Sequence, residues 1–505
     1  MRNGNAVLVV VLFTLGTLSG CFGNNDDSGI NELPNPFLFE NDVPMTTYYH
    51  FANATNASSS YLVNGSSVLV GNNTPFFTHG TYYSTGFGTF EPTVGVTSTG
   101  AIFMTCIDCG SGTHIIRSLD NAQTWEDLGP FITVPIVGID TGIEQVPNTN
   151  DPYMYVDLWT DRLVKFDMHA LAGMTVEKSD NDGETWTPPT VVSGPAVQDH
   201  QTIASSPYPA YGYDTTYVFC INGGYPFPMC SSSFDGGITW TVEVPGAPTD
   251  CESGGLTGHI VGSNNGNFYR GNPGCDGTGY SVYKSEDGGF TWTEHKLPTS
   301  STGTADTWNF EELAVAADDA DNLHALWMGS NNLPYYSYST DVGDTWSEPI
   351  MVAPSGVNGT GFPTIAAGSS GRVSMGYIGT TGDGNWHGFM STLTDSFNKN
   401  PLITTISVNS FDDPLENEEA DCGYNRCGGF GDFIDIVIDS EGRPWFGLAH
   451  NAACAGDKAA ENTKNGQCTY GVGIFGTFAE GPVLRGELGQ LSPLPIGGPD
   501  TLPQS

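Results

Sequence analysis

The chain contains few positively charged residues. Its 505 residues include 15 lysines and arginines against 56 aspartates and glutamates, a formal net charge of -41. A surface with this balance repels polyanions, so nucleic acid and anionic membrane surfaces are excluded as partners. Salt-adapted extracellular proteins show the same balance, and a carboxylate surface that binds cations is the functional alternative. We find no motif that requires a cofactor or a metal, although calcium remains compatible with such a surface.

Long helical patterns are also scarce. We find no convincing amphipathic helix of more than about three turns, whereas 66 glycines and many short apolar runs are typical of short strands joined by tight turns. The sequence therefore predicts an all-β protein.

A single apolar stretch, residues 6–15, stands near the start of the chain, after Arg2 and before Leu18-Ser-Gly-Cys21. It is too short for a secure membrane span. The arrangement resembles a lipoprotein signal peptide over residues 1–20. That resemblance implies export, cleavage before Cys21, lipid attachment to Cys21 and a position on the outer face of the cell membrane. An ordinary secreted protein with an incidental cysteine is the alternative.

Composition divides the rest of the chain into three parts. Residues 21–85 are polar and predict a tether, in which Tyr61–Val70 resembles a strand that could close a ring. Residues 86–480 are the predicted folded domain, and residues 481–505 form a Pro/Gly-rich tail expected to lie exposed over it. Asn-x-Ser/Thr sites, the acceptors of N-linked glycans, occur at Asn53, Asn56, Asn64, Asn72 and Asn358.

One eight-residue pattern, Ser-x-Asp-x-Gly-x-Thr-Trp, recurs five times. Its tryptophans are 61, 54, 52 and 54 residues apart, about the length of one four-stranded propeller blade. Ser and Asp can bond nearby amides, Gly permits a positive φ, and Thr-Trp resumes a strand. The second copy has Asn in place of Asp, and the first has Ala122 in place of Gly. The structural positions are Ser118, Asp120, Trp125, Ser179, Asn181, Trp186, Ser233, Asp235, Trp240, Ser285, Asp287, Trp292, Ser339, Asp341 and Trp346.

These copies resemble the Asp-box (BNR) repeat family, whose best-known members are the sialidases. The resemblance covers residues 118–346 and is specific for architecture. It implies a β-propeller whose boxes lie on the rim, away from the ligand, so it says little about activity.

A second repeat, of strand, turn and strand, predicts the number of blades. Seven such units occur, and the first five carry the eight-residue pattern downstream. We therefore predict a single β-propeller of seven four-stranded blades, with six as the alternative if the ragged second unit or the last is an insertion. The units are Pro92–Cys106, Val134–Trp159, Gln201–Ile221, Gly255–Tyr269, Glu312–Trp327, Pro363–Ile378 and Phe433–Ala449.

Eleven cysteines minus a lipidated Cys21 leave ten, and these fall into neighbouring couples. In an exported protein the simplest interpretation is five local disulfides. A zinc site built from the first and fourth couples is the alternative. The couples are Cys106 with Cys109, Cys220 with Cys230, Cys251 with Cys275, Cys422 with Cys427, and Cys454 with Cys468.

Acidic residues recur just before the inner strands, where a propeller gathers its loops around a central funnel. When carboxylates are held close together, the charge of one raises the pKa of another. A raised pKa keeps that group protonated, as a general acid beside a base must be. Asp199 with His200 is the best candidate proton carrier. The alternative is that these acids cap turns at the strand entrances. Glu91 shares this position, and the candidate catalytic residues are Asp199, His200, Glu252, Glu311, Glu312 and Asp432.

Sialidases hold the sugar carboxylate with three arginines, and they use a tyrosine paired to a glutamate and an aspartate for catalysis. Here no Arg-Ile-Pro motif precedes the first box. Arg270, Arg372 and Arg443 lie in or beside strand pairs and are the candidates for ligand binding.

Two functions remain open. The protein is either a non-catalytic propeller that binds an extracellular glycan or an envelope protein, or a sialidase-type glycoside hydrolase that uses funnel carboxylates. The missing arginine motif favours the non-catalytic propeller. A calcium-dependent adhesin is a third hypothesis. We expect a monomer.

Overall fold

The computed structural model describes the chain over thirteen ranges, to which every structural statement below refers. They are residues 47–51, 61–62, 78–110, 112–128, 152–168, 173–193, 198–207, 215–223, 228–251, 258–304, 313–416, 430–454 and 462–497.

Seven antiparallel sheets form a ring, and each sheet contains one four-stranded blade. The prediction of a seven-bladed all-β propeller is confirmed, and the six-bladed alternative is wrong. Within each blade the first strand lies next to the ring axis. Two short 3-10 helices are described, Thr299–Ser301 and Asn451–Cys454. Among the residues described, no helix has the length and apolar character needed to cross a membrane.

Three strands precede the first blade: β1 (Thr47–Phe51), β2 (Tyr61–Leu62) and β3 (His79–Thr89). Blade one contains β4 (Val94–Val96), β5 (Ile102–Cys106), β6 (His114–Ser118) and β7 (Glu126–Asp127). Blade two contains β8 (Tyr153–Val156), β9 (Leu163–Met168), β10 (Met174–Ser179) and β11 (Thr190–Ser193). Blade three contains β12 (Gln198–Ser206), β13 (Thr216–Gly223), β14 (Met229–Ser233) and β15 (Val244–Pro245).

Blade four contains β16 (Val261–Gly262), β17 (Phe268–Pro273), β18 (Tyr280–Ser285) and β19 (Thr293–Lys296). Blade five contains β20 (Ala314–Ala317), β21 (Leu323–Met328), β22 (Pro334–Ser339) and β23 (Ile350–Met351). Blade six contains β24 (Gly359–Ala367), β25 (Val373–Thr380), β26 (His387–Leu393) and β27 (Leu402–Ser407). Blade seven contains β28 (Asp435–Ile438), β29 (Pro444–His450) and β30 (Gly471–Glu480), with β3 as its outer strand.

The ring is closed by pairing the two ends of the domain. Strand β3 lies antiparallel to β30 and completes blade seven. The segment Tyr61–Val70 was expected to supply this strand, but its described part, β2, pairs with β1 on the outer edge of blade six. The closing strand is therefore a later one than we predicted.

The ragged second unit also differs in detail from the prediction. Its inner strand is β8, and its partner β9 begins only after Trp159. Residues 134–151 of the predicted unit lie outside the described ranges. The blade was therefore counted correctly although its hairpin was placed too early.

The hydrophobic core is divided among the blade interfaces. Seven clusters of buried residues each join two neighbouring blades, so every blade is stabilised by its neighbours. The five repeat tryptophans, Trp125, Trp186, Trp240, Trp292 and Trp346, lie in or against five different clusters. They are distributed around the ring.

Each eight-residue repeat forms the same turn between the third and fourth strands of blades one to five. In blade five, Asp341 Oδ1 accepts a hydrogen bond from the Thr345 amide at 2.8 Å, and Ser339 Oγ donates to the same oxygen. In blade one, Ala122 adopts a φ of 63° at the position where the other copies have glycine. The local geometry thus tolerates the departure seen in the sequence.

Four of the five predicted cysteine couples form disulfides. These are Cys106–Cys109, Cys220–Cys230, Cys251–Cys275 and Cys454–Cys468. Cys422 and Cys427 lie outside the described ranges. Because Cys106 and Cys109 are bonded to each other, they are unavailable for the alternative zinc site.

The tail packs against the ring over its described part. Leu484 donates its amide to the Gly442 carbonyl of blade seven and accepts from the Ser369 amide of blade six. Leu484 and Leu491 are buried. Residues 481–497 are therefore anchored on the ring by buried leucines, while eight of these seventeen residues are exposed.

Candidate functional site on the upper face

The alternating strand directions define two faces of the ring. The segments that lead into the inner strands lie at one end, which we call the upper face. The turns that follow the inner strands lie at the other end, the lower face, together with the eight-residue repeats. The loops around a ligand site would therefore belong to the upper face.

A left-handed backbone recurs at the start of the inner strands. The φ angles are 47° at Glu91, 54° at His200, 56° at Phe362 and 53° at Gly431. The pairing register of β12 shifts next to His200, and that of β24 shifts next to Phe362. Non-glycine residues adopt such angles only when the surrounding structure holds them, which is a common property of functional sites. At Gly431 a Cβ would collide with the Glu91 side chain, so glycine is required there.

Asp432 of blade seven reaches across the axis to blade three. Its Oδ2 lies 3.5 Å from His200 Nε2, and both side chains are almost fully buried. The Asp432 amide donates to Glu91 Oε1 of blade one at 2.7 Å. Three blades are joined through these three residues, two of which were predicted catalytic candidates.

A second carboxylate–imidazole pair lies beside the first. Asp435 Oδ1 is 3.6 Å from His259 Nδ1 of blade four, and the side chains are 15% and 25% exposed. Asp435 Oδ2 accepts a hydrogen bond from the Val94 amide at 3.0 Å. This pair is therefore the more open of the two.

Aromatic rings fill the space between the pairs. The Phe433 ring lies edge-on to His200 at 5.5 Å and to His259 at 5.1 Å, measured between ring centroids. Tyr153 of blade two lies edge-on to His259 and bonds Thr202 Oγ1 through its hydroxyl. Burial raises the pKa of Tyr153, so its hydroxyl stays protonated and is a poor nucleophile.

Below this cluster an axial cavity of about 170 Å³ is lined by residues from all seven blades. Val, Ile and Ala predominate in its wall, His259 and Asp435 lie towards the upper face, and Arg485 of the tail lines its lower part. Its volume is below the roughly 300–1,000 Å³ of typical small-molecule sites. A larger ligand would have to bind above the cavity.

Asp199, the other predicted acid in the described ranges, bonds its neighbour in sequence. Asp199 turns its Oδ1 back to accept from the His200 amide at 2.9 Å. Glu252, Glu311 and Glu312 lie outside the described ranges. Within those ranges no group of three or more His, Cys, Asp and Glu side chains could hold a metal ion, so the described residues offer calcium no such site.

The three candidate arginines bind main-chain carbonyls instead of converging. Arg270 is fully buried in blade four, donating to Gly246 O and Asn272 Oδ1, and burial lowers its pKa to about 9. Arg443 is buried in blade seven and donates to the carbonyls of Phe478 and Ser492. Arg372 donates to Val483 O and Gly486 O of the tail. These contacts give no support to a carboxylate clamp.

Sequence reasoning missed His259, Asp435, Phe433 and Tyr153. His259 directly precedes Ile260, the apolar residue that leads into β16, and His200 likewise lies three residues before the apolar Ile203 of β12. A histidine at the start of an inner strand was the available signal. Asp435 lies within the predicted unit Phe433–Ala449 and was not singled out. Only the folded ring shows that these residues share one face.

No protein-family model matches the chain, and no curated protein matches it. Similar solved structures include the BP39L lectin from Burkholderia pseudomallei, with 11% identity over 81% of this chain and 100% of that chain, at a TM-score of 0.46. An α-L-arabinanase from Penicillium chrysogenum has 12% identity over 65% and 98% of the two chains, at 0.40. The Hadza microbial sialidase Hz136 has 18% identity over 64% and 70%, at 0.38. At these values the likeness carries no argument about function.

Proposed function

We propose that the protein is a non-catalytic binding propeller that takes an extracellular glycan or protein ligand on its upper face and is held at the cell surface by a lipid on Cys21. We further propose that its five eight-residue repeats are Asp-boxes, which stiffen the lower face. The protein is proposed to act as a monomer.

One observation carries the non-catalytic interpretation. Glu91 and Asp432 are 1% and 3% exposed, and they bond a main-chain amide and an imidazole of other blades. A general acid must reach the substrate within hydrogen-bond distance, and buried groups engaged in this way do not. Their arrangement fits residues that hold the ring together beneath a binding surface.

The open pair, Asp435 and His259, marks where a ligand would meet polar groups. We expect glycan-array or envelope-protein binding without turnover of fluorogenic sialosides and other glycosides. His259→Gln should weaken that binding while leaving the melting temperature near that of the wild type. Asp199→Asn is the matched control, because the Asp199 carboxylate accepts a hydrogen bond from the adjacent main-chain amide of His200. Binding that is insensitive to His259→Gln would place the ligand elsewhere.

A sialidase-type glycoside hydrolase is the second candidate. The observation in its favour is that the Asp435–His259 pair is partly exposed at the axial cavity. Turnover that Asp435→Asn abolishes without unfolding the protein would establish it. Melting curves with calcium and with a chelator test the adhesin hypothesis, which predicts a calcium-dependent shift.

The lipid anchor rests on the signal sequence, since Cys21 lies outside the described ranges. Labelling cells with a radioactive fatty acid or isoprenoid precursor should mark the wild type but not Cys21→Ser. Equal labelling of the two would contradict the anchor and leave the binding proposal unaffected.

A further inference from the structure

A lysine and two acids are buried together within blade two, away from the upper-face site. Lys165 and Asp167 are two residues apart on β9 and therefore project from the same side of the strand. Glu177 lies directly opposite Lys165 on β10. The three side chains are only 2–3% exposed.

Their polar side-chain atoms are in contact. Lys165 Nζ lies 2.9 Å from Asp167 Oδ2 and 3.4 Å from Glu177 Oε2. Blade one fixes the arrangement from the other side, because the Thr113 amide donates to Asp167 Oδ1 at 2.6 Å and the Thr113 carbonyl accepts from Lys165 Nζ at 3.3 Å. The amine and the carboxyl group are therefore held in a fixed orientation.

Several features of this environment assist condensation of the amine with the carboxyl group. Holding two reactants in contact contributes the equivalent of a very high effective concentration. A buried ion pair also carries a desolvation cost. Burial also raises the pKa of Glu177 to about 7, so this carboxyl can accept and return a proton near neutral pH.

We propose that Lys165 and Asp167 form an intramolecular isopeptide bond, with Glu177 as the proton carrier. The Lys165 ammonium gives a proton to Glu177, and the neutral Nζ attacks Asp167 Cγ. The remaining amine proton and the proton on Glu177 leave with one carboxyl oxygen as water. An ammonium and a carboxylate thus become an amide and water, with no oxidant, reductant or other co-reactant.

The bond would stabilise the protein mainly by removing two buried charges and only slightly by restricting the unfolded chain. It joins residues two apart, so it constrains little of the unfolded chain. It replaces a buried ammonium and a buried carboxylate with a neutral amide, which removes the cost of keeping these two ions from water.

Tryptic peptides test the proposal directly, because trypsin does not cleave after an acylated lysine. The full-length protein is reduced, alkylated, denatured and digested. We expect a peptide of residues 163–178, uncleaved after Lys165 and lighter than its sequence mass by about 18 Da, one water. Fragmentation should place the loss between Lys165 and Asp167. Complete cleavage after Lys165 with full-mass products would overturn the proposal and leave an ordinary ion pair.

Two variants test the formation of the bond separately from folding. Glu177→Gln retains both partners but removes the proton carrier, so residues 163–165 and 166–178 should appear as separate full-mass peptides. Lys165→Arg keeps a positive charge and cannot form the bond. An unchanged water loss at the same place in Glu177→Gln would contradict the role given to Glu177. The wild-type digest decides the bond itself even if a variant fails to fold.

Discussion

Asp432 Oδ2 and His200 Nε2 lie 3.5 Å apart across the axis of the ring, although the two residues belong to blades seven and three. Neighbouring blades already share apolar interfaces. A polar contact between blades that are not neighbours has a different consequence, since it joins opposite parts of the ring at the upper face.

We predict that Asp432→Asn lowers the free energy of unfolding by about 1–3 kcal/mol, because a buried imidazole loses its charged partner. Urea denaturation followed by tryptophan fluorescence measures the change. Asp199→Asn is the control and should stay within about 0.5 kcal/mol of the wild type. Equal stability of Asp432→Asn and the wild type would show that the contact contributes nothing.

The repeat in blade five permits a test of its turn. Asp341→Ala removes the acceptor for the Thr345 amide and hydroxyl and should cost about 1 kcal/mol. Asp341→Asn should cost much less, because Asn181 accepts from the Thr185 amide in the natural second copy. Denaturation of the two variants at pH 7 compares these costs.

Hydrogen bonds from Thr345 and Ser339 lower the pKa of Asp341 from 3.8. A carboxyl with a lowered pKa stabilises the fold above its ordinary value and loses that contribution as the pH falls through the lowered one. The stability difference between wild type and Asp341→Asn should therefore shrink below about pH 3.8. A difference that grows in acid would contradict this account.

Glu416 should make the fold sensitive to alkaline pH. It is 1% exposed, Asn451 Nδ2 donates to its Oε1, and burial raises its pKa from 4.5 to about 8. An acid with a raised pKa stabilises the fold fully below its ordinary value, and the contribution is lost as the pH rises through the raised value.

We therefore expect Glu416→Gln, which resembles the protonated acid, to be more stable than the wild type at pH 8.5 by on the order of 1 kcal/mol. At pH 5 the two should differ little. Melting temperatures across this range provide the measurement, and parallel curves would exclude Glu416 as the group responsible.

The tail offers a matched pair of leucines. Leu484 is fully buried between the tail and the ring, whereas Leu488 is 40% exposed. Leu484→Ala should destabilise the protein by about 2–5 kcal/mol through lost apolar contact and a cavity. Leu488→Ala should change stability by less than about 0.5 kcal/mol. Similar losses at the two positions would mean that the described packing of the tail is wrong.

The blade count was predictable because each blade repeats a local pattern. A strand, a turn and a tryptophan-anchored hairpin depend on residues close in sequence, so Ser339, Asp341 and Trp346 predict their turn without the rest of the chain. Ring closure was less predictable. Strand β3 pairs with β30 from the far end of the domain, and no local pattern specifies that choice over Tyr61–Leu62.

The sequence indicated where along the chain the candidate residues lie, but not which residues they contact. Glu91, His200 and Asp432 were singled out because each lies just before, or at the start of, an inner strand. The same reasoning located the arginines in or beside strands but did not identify their partners, since a strand position does not say whether a side chain meets the axis or a neighbouring strand. Arg270 and Arg443 both lie inside their blades, bound to carbonyls.

The sequence alone determined the repeating unit, the number of repeats, the acidic surface and the neighbouring disulfides, because all of these depend on composition or on contacts between residues close along the chain. Only the tertiary structure decided that Asp432 meets His200, that Asp435 meets His259 and that the tail packs on the lower face. Those contacts join residues that become neighbours when the ring closes, and closure depends on the packing of all seven blades together.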